Sequence, residues 1–125
     1  MQTLLIVAHG SRRAASNDEI AQLALRVASH PSCSFDSVKV AFLELALPSI
    51  QAAIDECFQT STSDLLVLPY FLSAGKHVSN DVPLAIKQAL APWPNKRVRI
   101  LPHIGSMDLM VDLIQSACNI ATETS

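Results

Sequence analysis

A three-layer α/β domain, with a four-stranded parallel sheet and helices on both faces, is the fold class the sequence predicts. Two observations lead there. Four short apolar runs bounded by breakers lie at residues 3–8, 38–42, 65–69 and 98–102. Most are continuously apolar and do not alternate, the pattern of strands covered on both faces. Each run is followed by a stretch with helical spacing, so strand and helix alternate along the chain and right-handed crossovers are expected.

Ser16 with Glu19 forms a capping-box pattern, and Ile20, Leu23, Ala24 and Val27 then make one stripe. Pro48 is placed like a first-turn proline ahead of Ile50, Ala53, Ile54, Cys57 and Phe58. Ser79, Asn80 or Asp81 is expected to cap a third helix whose buried side includes Val82, Ile86, Ala89 and Leu90. Ser106 is expected to cap the last, with Met110, Val111, Ile114, Ala117 and Cys118 facing inward. Residues 29–36, 60–64 and 92–96 read as return loops. No internal repeat, low-complexity tract or linker interrupts residues 1–125, which are read as one domain.

Composition agrees. A chain of 125 residues buries roughly two-thirds of its unfolded surface, enough for a core without staples. Half of the residues are hydrophobic and 16% charged, so either the sheet is covered on both faces or apolar surface is left for a partner; both are expected. The net charge of −2 gives no reason to expect nucleic acid or an anionic membrane as partner. No apolar run approaches the roughly 20 residues that span a bilayer, and no leader is expected. Cys33, Cys57 and Cys118 form no CxxC; Cys57 and Cys118 occupy apolar helical positions and read as reduced core thiols of a cytoplasmic protein.

In parallel α/β sheets ligands bind at the carboxyl ends of the strands. After the first strand come His9, Gly10, Ser11, Arg12 and Arg13; after the second, Glu44. The loop after the third is the longest and carries Ser73, Lys76 and His77; after the fourth comes His103. Two imidazoles and a carboxylate on neighbouring tips suit a borderline divalent metal with open coordination positions. They suit proton transfer equally, since imidazole titrates near pH ~6.5. Plainer readings stand beside this one: His9 as a loop cap, Glu44 as a surface charge paired with Lys39 or Lys76, His77 as a loop histidine. His30 reads as surface and His103 as structural. Arg12 and Arg13 are either solvated charges or anion contacts. Ser11 is a poor nucleophile candidate, because its side chain and that of His9 diverge from the strand tip. GxxxxGK[ST], GxGxxG and nucleophile-elbow motifs are absent.

These residues carry a resemblance. "LLIVAHGSRR", "FLELALPSIQAAID", "LLVLPYFLSAGKHVSNDVP" and "LPHIGSMDLM" resemble, in order and over nearly the whole chain, the small single-domain CbiX-like sirohydrochlorin chelatases, class II tetrapyrrole chelatases. The most specific parts are His9-Gly10-Ser11 and the set Pro69, Gly75, His77, Asp81 and Pro83. The resemblance implies a chelatase-like (flavodoxin-like) fold and insertion of cobalt or iron, with nickel a third candidate, into sirohydrochlorin for cobalamin or siroheme. It places the active-site histidines on His9 and His77 and, through a looser motif, the acidic partner on Glu44. It also implies a homodimer with the tetrapyrrole in the cleft between domains. No permanently bound cofactor is expected, since the divalent metal is a substrate.

The chemistry fits those residue types. Insertion must remove two pyrrole protons and strip water from the metal, and a His/His/Glu set holds metal weakly enough to pass it on. Ser11, Arg12, Arg13, Ser73 and Lys76 would meet the carboxylates of the macrocycle. Phe42, Leu43, Leu45, Tyr70, Phe71, Leu72 and Val78 would line its apolar faces. Two rivals remain: a metal or tetrapyrrole carrier on the same fold, and a phosphoryl-transfer enzyme using His9. The second is disfavoured because histidine phosphatases carry an arginine where this chain has Ala8.

Overall fold

The computed structural model describes residues 1–124, apart from the side chains of His77 and Thr124. Strands β1 (Gln2–Ala8), β2 (Ser37–Phe42), β3 (Asp64–Pro69) and β4 (Arg97–Ile100) alternate with helices α1 (Ala14–Ala28), α2 (Ile50–Gln59), α3 (Val82–Leu90) and α4 (Asp108–Thr124). The sheet order is β2-β1-β3-β4, and every pairing is parallel. β1 is therefore central, as its apolar run requires: Leu5 and Val7 are completely buried. Those two point to the face covered by α2 and α3, where they pack with Ile54, Leu65, Val67 and Ile86. Leu4 and Ile6 point to the opposite face, under Ala24 of α1. Burying a side chain such as Ile54 contributes about 1.5–3 kcal/mol.

The predicted strands are all present, with the fourth ending two residues early, at Ile100. The helical stripes of α1, α2 and α3 also face the sheet as expected. The caps differ, each for a local reason. α1 begins at Ala14 behind Arg13, because the Ser11 hydroxyl accepts from Arg13 N–H (3.0 Å) and turns the chain early; Ser16 lies within the helix. Ser49, not Pro48, starts α2, accepting from Ala52 N–H at 3.1 Å. The Pro48 carbonyl is instead engaged by Phe42 N–H at 2.9 Å. Of Ser79, Asn80 and Asp81, Asp81 takes the N-cap position of α3, without a side-chain cap bond, because the chain enters α3 through a wide π-type turn, His77–Asp81, ahead of which Ser79 N–H donates to Gly75 O at 3.0 Å.

The largest departure is α4. Ser106 does not cap it: its hydroxyl donates to His103 O at 2.7 Å, within a 3₁₀ turn, Ile104–Ser106. Val111, Ile114, Ala117 and Cys118, expected inward, are all exposed, and Met110 is half-buried. The turn before the helix is the element it chiefly touches. That turn is pinned to the β3–α3 loop. Gly105 N–H donates to Phe71 O at 2.9 Å, and a Cβ on Gly105 would stand 1.8 Å from Leu72 O. Cys57 is buried as expected, while Cys118, expected in the core, is exposed with its helix.

Candidate active site at the carboxyl edge

The backbone ladder does not stop at the last residues of β1 and β2. Leu43 N–H donates to Ala8 O (2.9 Å) and Glu44 N–H to His9 O (3.0 Å). Two extra rungs thus carry Glu44 alongside His9, and His9 Nε2 lies 2.9 Å from Glu44 Oε1. This pairing replaces the lysine partners considered for Glu44. Both side chains remain open to ligand, 49% and 57% exposed. Gly10 makes the approach possible: its φ is +96°, and a Cβ there would stand 1.7 Å from Glu44 O, a conformation and a contact that glycine alone tolerates. From the tip of β3, Phe71 packs against the His9 ring edge-on, with centroids 6.4 Å apart.

One positioning residue was not singled out from sequence. The Asn17 side chain accepts from Ser11 N–H (3.0 Å) and donates to Ser11 O (2.8 Å), clamping the loop that follows His9 to the first turn of α1. The available signal was an Asn just inside a helix behind a strand-tip loop, where a side chain with both donor and acceptor can hold backbone. His9, Ser11, Asn17, Glu19, Phe42 and Tyr70 line a shallow cavity of about 280 Å³. Glu19, read as half of a capping box, belongs to this cavity.

The other candidates are placed less tightly. Arg12 and Arg13 are exposed at the start of α1, and Ser73 and Lys76 are exposed on the β3–α3 loop; none of the four lines the cavity. His77 opens the wide turn into α3, a backbone form concentrated at functional sites; its side chain lies outside the described residues. Among the described residues, no group of three His, Cys, Asp or Glu forms a metal-ligating set. His30 is exposed, with Nδ1 accepting from Ser32 N–H at 3.0 Å, in line with a surface role. His103 is half-buried in the turn before α4.

Residues 3–121 match the family model for CbiX. The chain belongs to the CbiX family. This CbiX domain is 31% identical over 114 residues to the chloroplastic sirohydrochlorin ferrochelatase of Arabidopsis thaliana, covering 89% of this chain and 48% of that protein. It is 31% identical over 83 residues to the sirohydrochlorin cobaltochelatase of Methanopyrus kandleri, covering 66% of this chain and 57% of that one. The chain thus spans about half the length of these relatives. Among solved structures, one from Marinobacter aquaeolei, named for CbiX and cobalamin (vitamin B12) biosynthesis, matches over the full length of both chains with TM-score 0.83 at 26% identity. The sirohydrochlorin chelatase SirB of Bacillus subtilis subspecies spizizenii, solved with cobalt, matches with TM-score 0.81 at 26% identity, over 94% of this chain and 50% of that one. In this CbiX domain the imidazole and carboxylate are joined by one 2.9 Å hydrogen bond, an arrangement in which a proton can pass between the two side chains. No helix is long and apolar enough to cross a membrane among the described residues.

Proposed function

We propose that the protein inserts a divalent metal, cobalt or iron, into sirohydrochlorin, acting as a cytoplasmic homodimer on the route to cobalamin or siroheme. One observation carries this reading: the half-exposed His9–Glu44 pair, 2.9 Å apart at the carboxyl edge of the sheet, within a domain whose relatives are named for that chemistry. Each insertion places one M²⁺ among four nitrogens and releases two N–H protons. His9, Glu44 and His77 are the groups assigned to hold the metal and take up those protons; the metal is substrate, and borderline ligands release it readily. Asn17 and Gly10 hold the loop that presents His9.

The macrocycle needs apolar walls and a basic rim. Leu45, Leu47 and Leu72 stand out at this edge, 53%, 86% and 72% exposed, and Tyr70 lines the cavity. Ser11, Arg12, Arg13, Ser73 and Lys76 are assigned to the substrate carboxylates. A cavity of about 280 Å³ falls short of the ~300–1,000 Å³ that enclose drug-sized ligands, and a tetrapyrrole is larger. A second copy supplying an opposite wall resolves the deficit, which supports the homodimer.

The test is an anaerobic absorbance assay with sirohydrochlorin and Co(II), Fe(II) or Ni(II). The expected result is metallation with cobalt or iron well above the enzyme-free rate. A rate equal to the enzyme-free rate with every metal overturns the proposal. Saturable binding of metal or tetrapyrrole without acceleration would mark a carrier.

A further inference from the structure

We infer that the cavity between β2 and α2 is a second ligand site, one that takes a small zwitterion of the α-amino acid class. Its volume is about 260 Å³, and it shares no residue with the cavity beside His9. Its origin lies in the make-up of β2. Side chains alternate between the two faces of a strand, so Ser37 and Lys39 share the face of Ala41, which packs in the core under α2 and α3. Lys39 is in register with Leu5 of β1, and α2 turns Ala53 and Cys57 toward the same space. Small and polar groups, on a face packed elsewhere by leucine, isoleucine and valine, leave room that close packing would otherwise fill.

The floor is neutral and satisfied. Thr3 and Thr62 are each 1% exposed, and their hydroxyls share a bond of 2.8 Å. Cys57 is buried beside Thr62; burial chiefly raises its thiol pKa, with Lys39 opposing and Glu56 adding to the rise. An ammonium and a carboxylate thus act on the same buried point from the rim, where both side chains are exposed. No ion pair joins Lys39 to Glu56 among the described residues, so both charges are available to a ligand.

These features select the chemistry of the ligand. A lone anion would be repelled by Glu56, and a lone cation by Lys39. A zwitterion satisfies both, its carboxylate accepting from Lys39 and its ammonium donating to Glu56 in charge-assisted bonds. A charge on the dry floor would lose its hydration without a partner, so the floor receives a short uncharged side chain. Ser37 and the Thr3–Thr62 pair can meet a hydroxyl, and Ala53 and Pro48 a methyl group; all of them line the cavity. The volume lies below the ~300 Å³ at which sites for drug-sized ligands begin, which suits an amino acid and is too small for a nucleotide.

Isothermal titration of the full chain with L-serine and with L-valine tests this. The matched analogues that keep one charge are 3-hydroxypropionate and ethanolamine for serine, isovalerate and isobutylamine for valine. At least one of the two amino acids should bind saturably, one per chain, with Kd below ~10 mM, and its single-charge analogues at least ~10-fold more weakly. Lys39→Met and Glu56→Gln, both at exposed positions, should each weaken binding by at least ~10-fold. The saturating amino acid should also slow alkylation of Cys57 by N-ethylmaleimide at least ~5-fold, leaving the exposed Cys118 unaffected. No saturable binding of either amino acid overturns the inference and marks a cavity that holds water alone. A single-charge analogue that binds equally well, affinity indifferent to both substitutions, or unchanged alkylation of Cys57 overturns it too. If a variant fails to fold, the analogues on the wild-type chain decide the matter. None of these readouts depends on metallation.

Discussion

Gly10→Ala tests whether the backbone approach at the strand tip builds the site. A Cβ there would stand 1.7 Å from Glu44 O, against an ordinary contact of 3.4 Å, so the two segments must part by about 1.7 Å. Parting breaks the Glu44 N–H to His9 O bond of 3.0 Å, worth about 0.5–1.5 kcal/mol. Holding alanine at φ +96° adds about 1–2 kcal/mol. The sum is roughly 1.5–3.5 kcal/mol, a drop of about 1–2 M in urea midpoint for a domain of this size. Gly75→Ala is the internal control: nothing lies within 4 Å of the position its Cβ would take, so its unfolding free energy should stay within ~0.5 kcal/mol of wild type. The assay is urea unfolding followed by circular dichroism, with Co(II) titration on the same samples. Gly10→Ala should lose stability and cobalt affinity together, because the opened ladder separates His9 from Glu44. A Gly10→Ala protein as stable as Gly75→Ala, with unchanged cobalt affinity, refutes the reasoning.

Asn17→Ala removes both bonds to the Ser11 backbone and should cost about 1–3 kcal/mol, lowering kcat in the absorbance assay more than the stability loss explains; Asn17→Asp, which keeps only the acceptor, should fall between. His77→Ala should reduce metallation by at least ~100-fold with the fold intact by circular dichroism, and unchanged initial rates would remove His77 from the mechanism. His9→Ala should impair chelation or change metal preference, and wild-type rates with both cobalt and iron would contradict its role. Burial pushes the Cys57 thiol above its ordinary range, a nearby Lys39 opposing this in part. A thiol kept neutral in the fold contributes stability that is complete below the unfolded pKa of about 8.5 and lost as pH rises beyond it. Cys57→Ala should therefore flatten the alkaline fall in unfolding free energy between pH 8 and 10 while lowering stability at pH 7 through the cavity it leaves.

The strands and the buried stripes of three helices were legible because burial imposes a period on the sequence. Ile50, Ala53, Ile54, Cys57 and Phe58 had to face the sheet together, whatever the details of the loops. The caps were less legible: Ser49 and Pro48 are neighbours, and the bond from Ala52 N–H to the Ser49 hydroxyl, with that from Phe42 to the Pro48 carbonyl, shows which of them starts the helix. Asn17 was missed for the same reason, since its bonds to Ser11 depend on how the loop closes over α1.

By itself the sequence determined the α/β class, the edge on which the candidate site lies and the residue types there, because hydrophobic period and strand–helix alternation are local properties. Only the tertiary structure decided that Glu44 stands 2.9 Å from His9 and that α4 leaves its own sheet uncovered. Both depend on contacts between chain-distant backbones, at Gly10 against Glu44 and at Gly105 against Leu72. An apolar stripe states that a helix must be buried, but not against which surface.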